Sequence, residues 1–216
     1  MNRKGGLDIR LILALVVLVL VAGGVALATS GGSSGAGAKK SAQEQRLDAA
    51  ALLTPVREAP PLQLKNYLGQ SVNIASYRGK AVLVTFLYTN CPDVCPLITS
   101  NLRVAQNLMG ASTAAKAQIV AVSVDPKGDT PKAVATFLAR HQMTGRMQYL
   151  VGTAKELAKV WKEWGVGSER DANQPQFVNH SGLIYGITAT GKRLSVYAAD
   201  FQPSEIAHDV PLLAAR

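Results

Sequence analysis

The chain contains two cysteines, and both lie in the run Thr89-Asn90-Cys91-Pro92-Asp93-Val94-Cys95-Pro96. The run follows an apolar segment, Ala81 to Tyr88, and opens a segment of helical periodicity. Sulfur at a helix N-terminus meets unpaired backbone N–H groups and the positive end of the helix dipole, which favour thiolate over thiol. Cys91 and Cys95 are about one helical turn apart, so their sulfurs can share a face. In an oxidising compartment such a pair can close a disulfide; as thiolates it can grip one soft metal ion. A purely stabilising disulfide explains less. Its loop would enclose three residues, for little loop-closure entropy, and the carboxyl edge of a parallel sheet is where α/β folds bind ligands.

Two thiolates fall short of the four ligands of a structural zinc site. The third candidate ligand is one of three histidines. His141 sits near the end of a charged helix and His208 on a closing helix, where an imidazole has many ordinary structural uses. His180, in Val178-Asn179-His180-Ser181-Gly182, ends a long polar loop that can fold back over the sheet edge carrying the cysteines. Two sulfurs and one imidazole suit copper, because thiolates select Cu(I) and imidazole tolerates Cu(II).

The elements that position these residues are readable from pattern. Ala81 to Tyr88 and Gln118 to Val124 are nearly continuous apolar runs, as in strands buried on both faces. Met147 to Val151 predicts a third strand. Ile98, Leu102, Ala105 and Met109 recur at helical spacing, with Gly110 as the stop. Thr130-Pro131 starts a second helix, and Thr153 with Glu156 makes a capping box for a third, through Trp164. Leu183 to Thr188 and Arg193 to Tyr197, around Gly191, predict a hairpin. Pro203 to His208 begins the closing helix. This order predicts an α/β, thioredoxin-like fold: a central mixed sheet, parallel at its centre and flanked by helices. Gly165 to Asn179 is the inserted loop that carries His180. At about 15 residues it is long enough to imply function, and it is expected to be mobile until a metal ties its end down.

Four segments are expected along the chain: a cytoplasmic stretch 1–10, a membrane span 11–28, a flexible linker 29–59 and a globular domain 60–216. Leu11 to Ala28 are all apolar or glycine. As a helix they rise about 27 Å against a hydrocarbon core of about 30 Å. Arg3, Lys4 and Arg10 precede the span and no charge follows until Lys39, which places the domain outside the cytoplasm. Ala26-Leu27-Ala28 also has the form of a cleavage site, but the apolar core is long for a signal peptide. An uncleaved single-pass anchor in the cell membrane, with the domain periplasmic, is therefore the favoured reading over a cleaved leader. Thr29 to Ala38 is a Gly/Ser/Ala linker, and a short helix is predicted near Ala42 to Leu53. The net charge of +9 at pH 7 comes partly from the first 40 residues, with five basic residues and one acidic. The remainder forms no clustered basic stripe, which speaks against nucleic acid as partner.

Tyr88-Thr89-x-Cys91-Pro92-x-x-Cys95-Pro96, then Ser123-Val124-Asp125-Pro126, Asp129-Thr130-Pro131 and His180-Ser181, together resemble the Sco/SenC family of copper proteins. Asn66-x-x-Gly69 and Arg78-Gly79-Lys80 fit the same pattern, and the likeness covers roughly Pro60 to Arg216. The resemblance implies a thioredoxin-like fold that binds one copper ion through Cys91, Cys95 and His180. It implies a part in assembling the dinuclear copper centre of cytochrome c oxidase, as copper donor, as reductant of its cysteines, or both. The copper-site subunit of that oxidase is the implied partner, with another copper chaperone as a further one. Asp125 matches an acidic position near the family's metal site; Asp-Pro is equally a common turn. Two departures stand out. Asn179 precedes His180 where the family often has an acid, which bears on how the imidazole is oriented. Ile187-Thr188-Ala189-Thr190-Gly191 replaces the family's usual turn after the histidine.

Other functions fit less well. A thiol–disulfide oxidoreductase of thioredoxin type normally carries Cys-x-x-Cys, with a proline just before the facing strand. A peroxidase of this fold has Thr three residues ahead of its cysteine, whereas Thr89 is two ahead of Cys91. A redox sensor would need nothing of His180. The sequence thus favours a copper-binding protein over an enzyme, with a redox-active Cys91–Cys95 pair as an accompanying property.

Overall fold

A computed structural model describes residues 46–170 and 178–216. The expected stretch 1–10, the span 11–28 and the linker as far as residue 45 lie outside the described residues, as do residues 171–177 of the loop before His180. Among the described residues no helix is long and apolar enough to cross a membrane.

The strands are β1 (Ala51–Glu58), β2 (Gln63–Asn66), β3 (Ser71–Asn73), β4 (Ala81–Leu87), β5 (Ala117–Ser123), β6 (Met147–Val151), β7 (Glu169–Arg170), β8 (Val178–Asn179), β9 (Ile184–Ile187) and β10 (Lys192–Tyr197). The helices are α1 (Val94–Ala114), α2 (Pro131–Arg140), α3 (Ala154–Trp164) and α4 (Pro203–Ala214), with a single 3₁₀ turn at Ile74–Tyr77. One eight-stranded sheet runs β1-β10-β9-β4-β5-β6-β2-β3. β4, β5 and β6 are parallel, in the register Val84 with Val120 and Val122 with Leu150. β9 pairs antiparallel with β4, and β10 with β9, as the expected hairpin. This is the mixed, thioredoxin-like α/β sheet that the alternation of apolar runs and helices predicts.

Every residue of β4 is buried. A strand without a polar face must be covered on both sides, so β4 sits mid-sheet and delivers Tyr88 to Cys91 to the carboxyl edge. α1 and α4 pack against each other. From α3, Trp164 lies against Phe86 of β4 and Tyr185 of β9, at ring-centroid distances of 5.9 and 5.5 Å. Both predicted N-caps are made: Thr130 Oγ1 accepts from the Ala133 amide, and Thr153 and Glu156 close their reciprocal box.

Three expectations change. The helix predicted near Ala42 to Leu53 gives way, over its described part, to bends and then to β1, which pairs with β10 as the sheet's edge strand. The folded unit therefore takes in residues assigned from sequence to the 29–59 linker. Alanine and leucine favour helix locally, but pairing with β10 overrides that preference, and Pro55 is tolerated because the strand lies at an edge. Secondly, α1 does not stop at Gly110. The chain kinks there, with φ +71°, and resumes as helix to Ala114. Thirdly, the loop after α3 is not structureless throughout. Gly165 caps α3 in the left-handed conformation, Val166 is buried, and β7 pairs with β8 as a two-residue ribbon just ahead of His180.

Candidate metal centre

The site is built on the start of α1. Asp93 is the N-cap, its carboxylate accepting from the Val94 amide at 2.6 Å. The first helical hydrogen bond runs from the Leu97 amide to the Asp93 carbonyl, at 3.1 Å. Pro96 falls within this first turn, where its missing N–H would have had no helical partner. Cys95 occupies the same turn, so its amide is free of the helix ladder. That amide donates instead to Cys91 Sγ at 3.3 Å.

The two sulfurs are free thiols, both buried, and they differ sharply. The neighbouring Cys95 thiol, aided by the backbone amides of the helix start, lowers the pKa of Cys91 to about 6 against the opposing effect of burial. Cys95 is pushed strongly upward, first because its thiol serves the Cys91 thiolate and then by its own burial. One sulfur is therefore mostly thiolate at neutral pH while the other holds its proton.

His180 reaches the site from the strand side. Its Nε2 lies 3.8 Å from Cys95 Sγ, and its Nδ1 is 3.1 Å from the Ser181 carbonyl oxygen. A carbonyl can only accept, so that bond puts the imidazole proton on Nδ1 and leaves the Nε2 lone pair toward the sulfur. Burial lowers the His180 pKa, opposed by the Ser181 bond, which keeps the ring neutral and able to ligate. Tyr88 stands edge-on to the imidazole at 5.7 Å between ring centroids. Behind it, Gly182 packs so closely on α1 that a Cβ there would lie 3.1 Å from Val94 Cγ1 and 3.1 Å from Ala199 Cβ. Thr85 Oγ1 of β4 donates to the Leu183 carbonyl at 3.1 Å. The His180 backbone is thus clamped between β4 and the first turn of α1.

Cys91, Cys95 and His180 therefore meet at one sheet edge, as their sequence positions suggest. The donor set, two sulfurs and an imidazole nitrogen with its lone pair toward them, fits a soft metal ion such as copper. The three ligand atoms do not converge tightly, however. Among the described residues the group of three whose atoms all lie within 4.8 Å of one another is Asp48, His208 and Asp209.

Asp125 is buried in the β5–α2 turn. Its carboxylate accepts from the Lys127 amide at 3.2 Å and lies against Gly128. His141 and His208 have structural surroundings. His141 stacks on Phe137 with its Nδ1 3.4 Å from Ser100 Oγ, and His208 bonds to Asp209 at 2.8 Å.

Sequence reasoning named Asp129 within a family motif but missed its role. Buried at 4 % exposure, it accepts from the Thr89 amide at 2.8 Å, Ser123 Oγ at 2.6 Å and Tyr149 Oη at 2.9 Å. It pins the backbone two residues before Cys91 to the end of β5. Its partners Thr89 and Tyr149 are 40 and 20 residues away in sequence, so no local pattern joins them. Tyr88 likewise stood in the sequence as the end of an apolar run and the start of the cysteine motif; its contact with His180 joins positions 92 residues apart.

The sequence model of the SCO1/SenC family matches residues 52–215. The human mitochondrial SCO1 homolog is 25% identical over 154 residues, which cover 69% of this chain and 50% of that protein. The SCO1 homolog of Bacillus subtilis is 26% identical over 143 residues, covering 65% of this chain and 73% of its own length. The chain thus spans about half the length of the mammalian SCO1 relatives that it matches. Among solved structures, Bradyrhizobium japonicum ScoI with copper bound is similar with a TM-score of 0.63 and 30% identity, over 73% of this chain and 99% of that one. With a match that runs from β1 to the end of α4, and with this fold, the chain belongs to the SCO1/SenC family.

Proposed function

We propose that this chain binds one copper ion through Cys91, Cys95 and His180, and serves as a metallochaperone in assembling the dinuclear copper centre of cytochrome c oxidase. The observation that carries the reading is the pairing of a helix-start thiolate with a neutral imidazole whose Nε2 faces the second sulfur at 3.8 Å. The relative from Bradyrhizobium japonicum is described with copper bound, which supports copper as the cargo. The apolar span 11–28 would tether the folded unit to the periplasmic face of the cell membrane, where the oxidase subunit presents its copper site. Copper supplies the charge and the affinity for sulfur. The residues supply a preformed thiolate at Cys91, a second thiol that must release its proton on binding, and an imidazole held on a clamped backbone. Asp125, in the adjacent turn, is proposed as a supporting residue of the site.

The test is anaerobic copper titration of the reduced chain, read by stoichiometry and spectrum. One copper per chain is expected, retained poorly by Cys91→Ser and Cys95→Ser because serine offers no soft ligand. His180→Ala should lose Cu(II) more readily than Cu(I), since two thiolates suffice for Cu(I). If all three variants bind like the unaltered chain, the assignment is wrong.

A second reading, a thiol–disulfide oxidoreductase acting on the cysteines of a copper-site client, is favoured by the asymmetry of the two sulfurs. A thiolate at Cys91 can attack a client disulfide, releasing one client thiolate. Cys95 then attacks the mixed disulfide, releasing the second client thiol and leaving Cys91–Cys95 oxidised. Copper content measured before and after mild oxidation separates the two readings. Loading blocked by the disulfide is expected if the same sulfurs hold copper.

A further inference from the structure

Beside the cysteine loop lies an open cleft of about 320 Å³, between Thr89-Asn90 on one side and α2 on the other. Lys132, Thr136 and Arg140 line it. They are spaced four residues apart and so form one stripe along the helix. All three are exposed, and neither cation is ion-paired to another described residue. Phe137 also lines the cleft, and its ring is packed against His141 at 4.6 Å. Among the described residues no acidic residue lines it. The nearest acid in sequence, Asp129, is buried and bonded to Thr89, Ser123 and Tyr149. The cleft opens beside Asn90, the residue before Cys91.

We infer that this cleft docks an acidic, extended segment of the client polypeptide, alongside the cysteines that the client presents to Cys91 and Cys95. The inference rests on the client-directed function proposed above and adds to it the means of recognition. Lys132 and Arg140 stand eight residues apart, about 12 Å along the helix. Carboxylates four residues apart on an extended chain are separated by about 13 Å, so two acidic side chains can meet the two cations at once. Thr136, between them, offers a hydroxyl to the intervening backbone. Two exposed like charges on one wall, with no acid among the described lining residues, favour an acidic partner. Docking there sets the partner's chain against the residue before Cys91.

The experiment uses the full chain in neutral-detergent micelles. Its probe is a fluorescent glycine/serine peptide carrying two glutamates four residues apart, with a glutamine version as control. By anisotropy at low ionic strength the glutamate peptide should bind roughly tenfold more tightly than its control, and salt should erase the difference. The double variant Lys132→Glu with Arg140→Glu should lose the preference. Lys80→Glu with Lys116→Glu makes the same change in net charge at the opposite, amino edge of β4 and β5, and should keep it. Equal losses in both double variants would reduce the effect to bulk charge, and an undiminished preference in the first would remove the cleft; either overturns the inference. Anionic phosphatidylglycerol vesicles, and not the peptide, slowing amide exchange in residues 130–140 would make the stripe a lipid contact and overturn it too. Copper stoichiometry, measured on the same samples, should stay at one in both double variants. Selective peptide binding by a chain that takes no copper would keep the cleft and sink the copper reading.

Discussion

Among the described residues, two places that gather three potential metal ligands are opposites. At the carboxyl edge of β4, Cys91, Cys95 and His180 are loosely spaced but chemically available. Where the stretch ahead of β1 meets α4, Asp48, His208 and Asp209 have ligand atoms within 4.8 Å of one another and are already committed. Asp209, fully buried, accepts from the Asp48 amide at 2.8 Å, the Ala49 amide at 3.0 Å and Tyr197 Oη at 2.8 Å. His208 Nδ1 meets Asp209 Oδ1 at 2.8 Å and Asp48 Oδ2 at 3.3 Å. A metal would have to displace those bonds. The second cluster is a clasp that ties the chain ahead of β1 to α4. Proximity alone therefore does not define a metal site. What matters is whether the lone pairs are free, and at the cysteine site the lone pair of His180 Nε2 faces sulfur.

The strongest test of that contrast is metal retention. Cys91→Ser or Cys95→Ser should weaken copper binding by well over a hundredfold, because even the loss of a partner behind a ligand costs about 10–100-fold. His208→Ala should leave copper stoichiometry and affinity unchanged. Isothermal titration under anaerobic conditions decides it, and a copper deficit in His208→Ala would reverse the assignment of the two clusters.

Stability should invert the ranking. Asp209→Ala strands the Ala49 amide, the Tyr197 hydroxyl and other donors, and is expected to cost about 3–5 kcal/mol in urea unfolding. Cys95→Ser, at a site with no comparable web, should cost no more than about 1–2 kcal/mol. Similar losses at both positions would mean that the clasp is not the structural element described above.

A finer probe is Gly182→Ala. The added methyl meets Val94 and Ala199 at 3.1 Å, so the segment behind His180 must shift by a few tenths of an ångström. Copper affinity is expected to fall roughly tenfold, as when the support of a ligand is disturbed, with unfolding little changed. Affinity equal to that of the unaltered chain would show that the clamp does not orient the imidazole.

The smallest effect concerns protons. Cys91 has its folded pKa depressed to about 6 from the ordinary thiol value of 9.0. A depressed pKa contributes stability that is fully present above the unfolded value and is lost as pH falls through the folded one. The contribution should therefore fade between pH 9 and pH 6. Iodoacetamide should modify Cys91 with a midpoint near pH 6, while Cys95 stays unreactive across that window. A Cys91 midpoint near 9 would remove the stabilisation by the Cys95 thiol and the helix-start amides.

Much of the molecule was legible before any coordinates, for definite reasons. Short, β-branched apolar runs such as Ala81 to Leu87 read as strands buried on both faces. Thr130-Pro131 and Thr153 with Glu156 start helices by bonds that span three residues. Cys91 and Cys95 are four residues apart where a strand gives way to a helix, so their relation is local, and His180 was expected as the third ligand from where it falls relative to a strand. Local chemistry of this kind is written in order along the chain, and a reader of residues recovers it.

What only tertiary structure decided is everything whose partners are distant. The start of β1, Ala51 to Leu53, looked helical because alanine and leucine favour helix, and became strand because β10 offered an edge. Asp129 stood in the sequence only as a motif residue before Thr130-Pro131, and is the buried anchor of Thr89 because β5 and β6 bring Ser123 and Tyr149 to it. The unequal protonation of Cys91 and Cys95 depends on burial that no spacing reveals. His208 and Asp48 are 160 residues apart in sequence and 3.3 Å apart in space. The sequence determined which groups were present and how neighbours would fold; the closing of the sheet determined which of them are satisfied by one another and which remain free to bind.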